Sequence, residues 1–218
     1  MLVEQVVKRY PTLFHMAEVG TWPSIRKHGL LSTKEVIQRA NLSASNAAAL
    51  MSQHRPEKVA VNIPDVGSVL LRDQKPMAAA RLRMALVDGT TPEEWYEIIN
   101  SRVFFWARET RLLGLLNARE YRHLEHDVLT IDTASLLGSH AARTWLCHMN
   151  SGNTFPIPHH RGRGTFQRLA DYPARKSGVP VKEVVELTVE DQVGDLARHV
   201  VAVRRMRGAE VLHNIPLK

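Results

Sequence analysis

The chain has 218 residues, of which 44% are hydrophobic and 23% are charged, and its formal net charge is +7 at pH 7. This composition is ordinary for a globular protein and argues against a disordered chain, while the length suits one domain with a substantial core. The only cysteine, Cys147, excludes an internal disulfide and a cysteine-based zinc site. We therefore expect a single domain over residues 1–218.

Hydropathy and charge indicate where the protein works and what it contacts. No run of about 18 apolar residues is present, so we expect no membrane contact. Glu4, Lys8 and Arg9 interrupt the apolar N-terminal stretch, which favours a short amphipathic helix over a secretory signal and predicts a cytoplasmic location. The positive charge attracts polyanions, so nucleic acid or a phosphate-bearing cofactor is an expected partner. A basic surface that only maintains solubility is the alternative.

The first part of the chain predicts short elements separated by clear turn signals. An apolar pair, Leu13 and Phe14, leads a short strand to His15, and a helix of one or two turns follows with Pro23 near its start and Gly29 at its end. The later elements of this part are a helix over residues 34–53 with a break at 41–43, strands at 58–62 and 68–71 around a turn at 64–67, and a helix over residues 77–87.

The second part of the chain alternates helices and strands without a βαβ rhythm, so the predicted fold class is α+β with a mixed or split sheet. Thr91 at a cap position, Pro92 after it and two acids in the first turn predict a helix that runs to about Asn100. The other elements are a strand at 103–106, a helix at 109–121, a strand at 127–132, a short helix at 135–139, a segment at 142–149 that fits strand or helix, an irregular stretch at 150–163, a strand at 181–189, a helical turn at 191–197 and a final strand at 199–206.

Two segments near the ends of the chain resemble the ADP-ribosyltransferase superfamily. Residues 15–31 begin His-Met-Ala-Glu and end a short helix with Gly-Leu-Leu, which resembles the opening element that holds NAD. Residues 183–203 contain Val-Glu-Leu-Thr-Val, a turn and a last strand, which resembles the DarT-type DNA ADP-ribosyltransferases and the related RNA 2'-phosphotransferases. Residues 71–77 are similar to a third family segment. The family usually has His-apolar-Thr-His, so Ala17 lacks a hydroxyl that contacts ribose there.

The resemblance implies a split mixed or antiparallel sheet of ADP-ribosyltransferase type, with helical insertions at roughly residues 77–122 and NAD as co-substrate. It implies that Glu186 is catalytic, because a fixed carboxylate stabilises the oxocarbenium-like state formed when the glycosidic bond of NAD breaks. Glu183 is the competitor, since alternation puts it on the opposite face of the predicted strand. A strand with one solvated face explains Glu186 equally well. By its order in the chain, Arg55 matches the catalytic, NAD-contacting arginine of the family.

Five further residues are candidates for holding the cofactor. The resemblance implies that His15 binds the adenosine-side ribose, and Thr21 stands where the family's toxins have an Asn, with Ser24 on the helix that follows. Arg72 could clamp the pyrophosphate, because a guanidinium fork suits phosphate oxygens; a surface ion pair is the alternative. Phe105 could stack on the nicotinamide, with core packing as the alternative for the aromatic run.

The irregular stretch at residues 150–163 is a candidate for contacting the acceptor. It precedes the predicted catalytic strand, where transferases of the resembled class carry their substrate-recognition loop. Asn150 and Ser151 begin the stretch, and Arg161 and Arg163 would suit the phosphates of nucleic acid. A polar stretch of this length is more often functional than idle.

Other chemistries have weaker patterns. His148, His159 and His160 suggest zinc, but no third and fourth ligands stand at a recognisable spacing, so we expect no metal. Neither a Gly-x-Ser-x-Gly elbow nor a phosphate-binding P-loop is present.

The sequence thus predicts an NAD-dependent ADP-ribosyltransferase, toxin- or defence-like, with DNA or RNA as an acceptor and an antitoxin as a further partner. Two alternatives stay open. One is a catalytically inactive nucleic-acid-binding module on the same fold, and the other is an NAD-dependent RNA 2'-phosphotransferase.

Overall fold

Eight antiparallel strands form the central sheet of this computed structural model, which describes residues 1–218. The strand order is β12-β11-β6-β1-β5-β9-β7-β8. The strands are β1 (Thr12–Glu18), β5 (Arg102–Trp106), β6 (Glu125–Asp132), β7 (Thr144–Cys147), β8 (Phe166–Arg168), β9 (Glu186–Glu190), β11 (Val200–Arg207) and β12 (Glu210–Ile215). Two small sheets accompany it: the hairpin of β3 (Val59–Ile63) with β4 (Gly67–Leu71), and the pair of β2 (Leu30–Leu31) with β10 (Gln192–Val193).

Eight α-helices pack around these sheets. They are α1 (Val3–Arg9), α2 (Trp22–His28), α3 (Thr33–Arg39), α4 (Ala44–Ser52), α5 (Ala79–Ala85), α6 (Pro92–Asn100), α7 (Glu109–Leu116) and α8 (Thr133–His140). The local sequence fixes where α6 begins, through a capping box. Thr91 Oγ1 accepts from Glu94 N at 3.2 Å, and the Glu94 carboxylate accepts from Thr91 N at 2.9 Å. None of the helices combines the length and apolarity that crossing a membrane requires.

The central sheet is nearly divided between β1 and β5. Strand β1 pairs with β6 along its whole length, and β5 pairs with β9 from Arg102 to Trp106. Between β1 and β5 only one register pair remains, Phe14 opposite Trp106. Beyond this pair the strands separate, and the imidazole of His15 crosses the gap to the backbone carbonyl of Phe104. The gap is the feature around which the candidate site is built.

Strand alternation distributes the core over both faces of the sheet. Leu13, Phe105 and Leu187 belong to the main cluster on one face. Phe14 packs on the other face against Leu112 of α7. The hairpin of β3 and β4 has its own smaller core against α3 and α4.

The observed secondary structure confirms the α+β class and most of the expected elements. Several expectations were wrong in detail. The helical turn expected at 191–197 is strand β10 at Gln192–Val193, with a helical turn only at Leu196–Arg198. Helix α7 ends at Leu116 rather than near residue 121, β9 begins only at Glu186, and β11 is followed by β12 and is not the last strand. Residues 77–122 are not a helical insertion, because they include β5, which lies at the centre of the sheet.

Candidate functional site

A cavity of about 790 Å³ opens at the gap between β1 and β5. Its volume lies within the range of roughly 300–1,000 Å³ that is usual for ligand pockets. The walls come from both faces of the sheet: α2 and β2 on one side, α7 on the other, and the hairpin of β3 and β4 with residues 150–153 around the rim. Both His15 and Glu186 line this cavity.

His15 presents one free ring nitrogen at the gap. Its Nδ1 lies 2.8 Å from the carbonyl oxygen of Phe104. Because a carbonyl only accepts, Nδ1 carries the proton and Nε2 has a lone pair. Burial lowers the pKa of His15 to about 4, and the charge of Arg72 acts in the same direction. His15 is therefore neutral at pH 7, with Nε2 able to accept a hydrogen bond.

Glu186 is the first residue of β9 and is only 4% exposed. Its register partners are Trp106 on β5 and Cys147 on β7. The backbone N–H of Ser151 lies 3.2 Å from each of its two carboxylate oxygens. Burial raises the pKa of Glu186 to about 7, although hydrogen bonds from Ser151 and the charge of Arg161 act in the opposite direction. A carboxyl with this pKa changes charge near neutral pH, as a group in acid–base or charge-stabilising chemistry does.

Glu183, the competing carboxylate, lies outside the strand and points to solvent. Its side chain accepts a hydrogen bond from Arg108 Nε at 2.8 Å, and both partners of this ion pair are more than 40% exposed. Residues 181–185 precede β9 and are not part of it, so alternation does not determine which way Glu183 points.

Arg55 lines the cavity, but its guanidinium is used within the protein. Its Nε donates to the carbonyl oxygen of Arg72 at 2.6 Å, and its two terminal nitrogens lie 3.4 Å from Leu50 O and Asn100 Oδ1. Burial lowers its pKa to about 10, so it remains a cation at pH 7. Direct contact of Arg55 with a cofactor is therefore not favoured, and its role is to hold the end of β4 in place.

Arg72 has a cationic side chain directed at the cavity. Its guanidinium carbon lies 4.6 Å from the centre of the Tyr121 ring, and no carboxylate lies within ion-pair distance. Tyr121 itself donates to Asp73 Oδ1 at 3.1 Å. Arg72 is half-buried and keeps donors available for an anion.

The residues predicted on and near α2 also reach the cavity. Thr21 precedes the helix and donates its hydroxyl to Glu18 O at 2.7 Å, while Ser24 is exposed on the first turn. Gly29 ends the helix with φ +76°, and a Cβ there would lie 2.2 Å from the carbonyl oxygen of Val193. Only glycine fits this close approach of β10 to the end of α2.

Phe105 is a core residue rather than a platform for a ligand. It contributes to the cavity wall, but it is only 1% exposed and belongs to the main hydrophobic cluster. Its ring centre lies 5.9 Å from that of His15, so the phenyl ring packs against the imidazole. The aromatic group that the sequence did not identify is Tyr121, which follows α7 and owes its place in the cavity wall to tertiary packing.

The loop residues predicted to contact an acceptor divide into two groups. Asn150 and Ser151 line the cavity. Arg161 does not line the cavity, and all three of its donor nitrogens bind backbone carbonyls. Arg163 lies on the surface, where it pairs with Glu94 at 2.5 Å. The prediction that these two arginines bind phosphates of an acceptor is not supported by their positions.

The histidines at 148, 159 and 160 form no metal-binding group, and a different set of residues clusters instead. His140 Nε2 lies 2.7 Å from Asp195 Oδ1, and His199 Nε2 lies 3.3 Å from Asp195 Oδ2. Arg143 donates to His140 Nδ1 at 2.9 Å, so the proton of His140 is on Nε2 and is shared with Asp195. In this tautomer, Nε2 of His140 has no free lone pair for a metal ion.

Comparison with known proteins places the chain in a family. No curated protein and no solved structure matches it. Residues 11–200 match one protein family, DUF7002, which is described as a family of unknown function. The matched range includes β1, the gap and β9, and therefore the whole candidate site. Because the match covers most of the chain, the protein belongs to the DUF7002 family.

Proposed function

We propose that this protein is an NAD-dependent ADP-ribosyltransferase that acts in the cavity at the gap between β1 and β5. The observation that carries the proposal is that His15 and Glu186, predicted separately from the two ends of the chain, line the same cavity. Phe14 is opposite Trp106, and Trp106 is opposite Glu186, so Glu186 lies on the same face of the sheet as Phe14. His15 follows Phe14 in β1, so its side chain leaves the opposite face, and the gap connects the two faces. A dinucleotide that contacts both residues would therefore pass through the gap.

Glu186 would serve the reacting ribose. Cleavage of the bond between nicotinamide and ribose builds positive charge on the sugar, and an ionised carboxylate beside it stabilises that charge. The carboxylate is fixed by the N–H of Ser151 and is nearly shielded from water, which strengthens its interaction with a cation. The same group can orient the incoming nucleophile.

His15 and Arg72 would hold the remainder of the cofactor. The free Nε2 of His15 can accept a hydrogen bond from a ribose hydroxyl, and the guanidinium of Arg72 suits the pyrophosphate oxygens. Arg55 contributes by binding the carbonyl of Arg72. Arg111 lines the cavity and is exposed on α7. We assign it to a phosphate of the acceptor, which we take to be nucleic acid.

The direct test is calorimetric titration of the protein with NAD, combined with measurement of nicotinamide release in the presence of DNA or RNA. We expect micromolar binding and release of nicotinamide. NAD-dependent loss of the 2'-phosphate from a phosphorylated RNA, with the phosphate recovered on the ADP-ribose part of NAD and no ADP-ribose left on the RNA, would favour the RNA 2'-phosphotransferase. Absence of NAD binding together with salt-sensitive binding of DNA or RNA would favour a catalytically inactive module.

Replacement of His15 by alanine should weaken NAD binding about fivefold or more. The substitution removes the acceptor at Nε2 and the hydrogen bond to Phe104, and one lost hydrogen bond in a buried site is worth about 1 kcal/mol or more. The measurement is the dissociation constant for NAD by calorimetry. His123→Ala is the matched control, because His123 is exposed and lies outside the cavity. Equal affinities of the two variants would contradict the assignment of His15.

A further inference from the structure

Arg161 is a buried cation without a buried counter-ion in direct contact. It is 1% exposed, and no carboxylate lies within ion-pair distance of it. Its Nε donates to His159 O at 3.0 Å, and its two terminal nitrogens donate to Ser151 O and Asn153 O, each at 2.7 Å. A buried charge costs several kcal/mol unless its environment compensates for it. The compensating anion must therefore be sought beyond these carbonyls.

Ser151 connects this cation to the carboxylate of the candidate site. Its carbonyl oxygen accepts from Arg161, and its N–H donates to both oxygens of Glu186. The N–H of Ser151 thus faces a carboxylate, and its carbonyl oxygen faces a cation. The two bonds belong to different peptide groups joined at the Cα of Ser151, so Arg161 acts on Glu186 by fixing the position of this residue and by its charge. Ser151 is 1% exposed, which keeps water from competing for either bond.

The backbone of Arg161 is itself anchored, which makes the arginine a fixed point. Its N–H donates to Ala85 O at 2.8 Å, and its carbonyl accepts from Val87 N at 3.0 Å. The end of α5 therefore holds Arg161, Arg161 holds residues 151–153, and Ser151 holds Glu186.

We propose that Arg161 is a positioning residue for Glu186, acting through the backbone of Ser151 to fix the carboxylate and to favour its ionised form. The proposal depends on the proposed function only in taking Glu186 as the reacting carboxylate. The other titratable group that faces Glu186 is Cys147 on β7, and burial raises the pKa of this thiol far above its usual value, so it stays neutral. The hydrogen bonds from Ser151 and, after them, the charge of Arg161 then oppose the effect of burial on the pKa of Glu186.

The test is the titration of Glu186 by NMR, with ¹³C-labelled glutamate, in the full chain and in three variants. In Arg161→Met, the pKa of Glu186 should rise by about 1 unit or more, because a nearby opposite charge is lost. In Arg161→Lys the rise in this pKa should be smaller, because lysine keeps the positive charge but lacks the planar guanidinium that binds three carbonyls. Arg163→Met is the matched control: it removes the same charge two residues away, but from the surface, and should leave the titration unchanged.

A measurement on the unmodified protein covers the case in which Arg161→Met does not fold. The amide proton of Ser151 should move downfield as Glu186 ionises, because the N–H then donates to an anion. A constant Ser151 shift across the titration, or an unchanged pKa of Glu186 in folded Arg161→Met, would overturn the proposal. Neither readout uses NAD, so a protein that fails to cleave NAD but shows both effects would refute the proposed function alone.

Discussion

Replacement of Glu186 by glutamine should lower NAD cleavage roughly 100- to 1000-fold and should also stabilise the protein above pH 7. The loss of activity follows because glutamine has nearly the same volume but cannot oppose positive charge on the ribose. The gain in stability follows because burial raises the pKa of Glu186 to about 7, from 4.5 for a freely solvated glutamate. A difference of this size corresponds to about 3 kcal/mol.

The sign of the effect depends on which state of the protein holds the proton. Below about pH 4.5 the carboxyl is protonated in both the folded and the unfolded chain, so its burial has no ionisation cost. Between pH 4.5 and 7 the unfolded chain releases the proton and the folded chain keeps it, so stability falls as the pH rises. Above pH 7 the loss is complete. Glu186→Gln should therefore match the unmodified protein at pH 4.5 and exceed it at pH 8.

Urea unfolding at the two pH values and nicotinamide release at pH 8 measure both parts of this prediction. Glu183→Gln is the control, since Glu183 forms only an exposed ion pair with Arg108, and such pairs contribute little. It should change neither activity nor the pH dependence of stability. Equal unfolding free energies for Glu186→Gln and the unmodified protein at pH 8 would show that the carboxylate is better solvated than its position implies.

Replacement of Arg55 by methionine should destabilise the protein by about 2 kcal/mol. The substitution removes the Arg55 donor from the carbonyl of Arg72, and a buried polar group that loses its partner costs about 1–3 kcal/mol. It also removes a longer bond to Asn100 Oδ1, which keeps Gln74 Nε2 as a donor. The same change releases the end of β4, so NAD affinity should fall as well.

The measurement is the unfolding free energy in urea at pH 7, where Arg55 is a cation. Arg207→Met is the control, because Arg207 is about half exposed and pairs only with Glu125. Its effect should stay below about 1 kcal/mol. A loss of less than 1 kcal/mol in Arg55→Met, with unchanged NAD affinity, would be evidence that Arg55 neither supports β4 nor shapes the cavity.

The arginines show where prediction from residue type ends. Arg55 was predicted to contact NAD, and Arg72, Arg161 and Arg163 were predicted to bind phosphate. A guanidinium can bind phosphate wherever it is free. Arg72 keeps donors at the cavity, Arg55 and Arg161 bind backbone carbonyls, and Arg163 pairs with a surface glutamate. The carbonyls in question belong to residues distant in sequence or to an irregular loop. No local sequence pattern predicts these hydrogen bonds.

The sequence by itself determined the short-range features: the capped start of α6 at Thr91, the break between α3 and α4, the glycine at the end of α2 and the strand that carries His15. These depend on backbone preferences and hydrogen bonds within a few residues. The tertiary structure alone decided that β5 lies at the centre of the sheet, that β1 touches it at one residue pair, and that Glu186 is buried against Ser151. Those features come from pairing between strands far apart in the chain, where register and burial, rather than residue type, set the charge and contacts of each side chain.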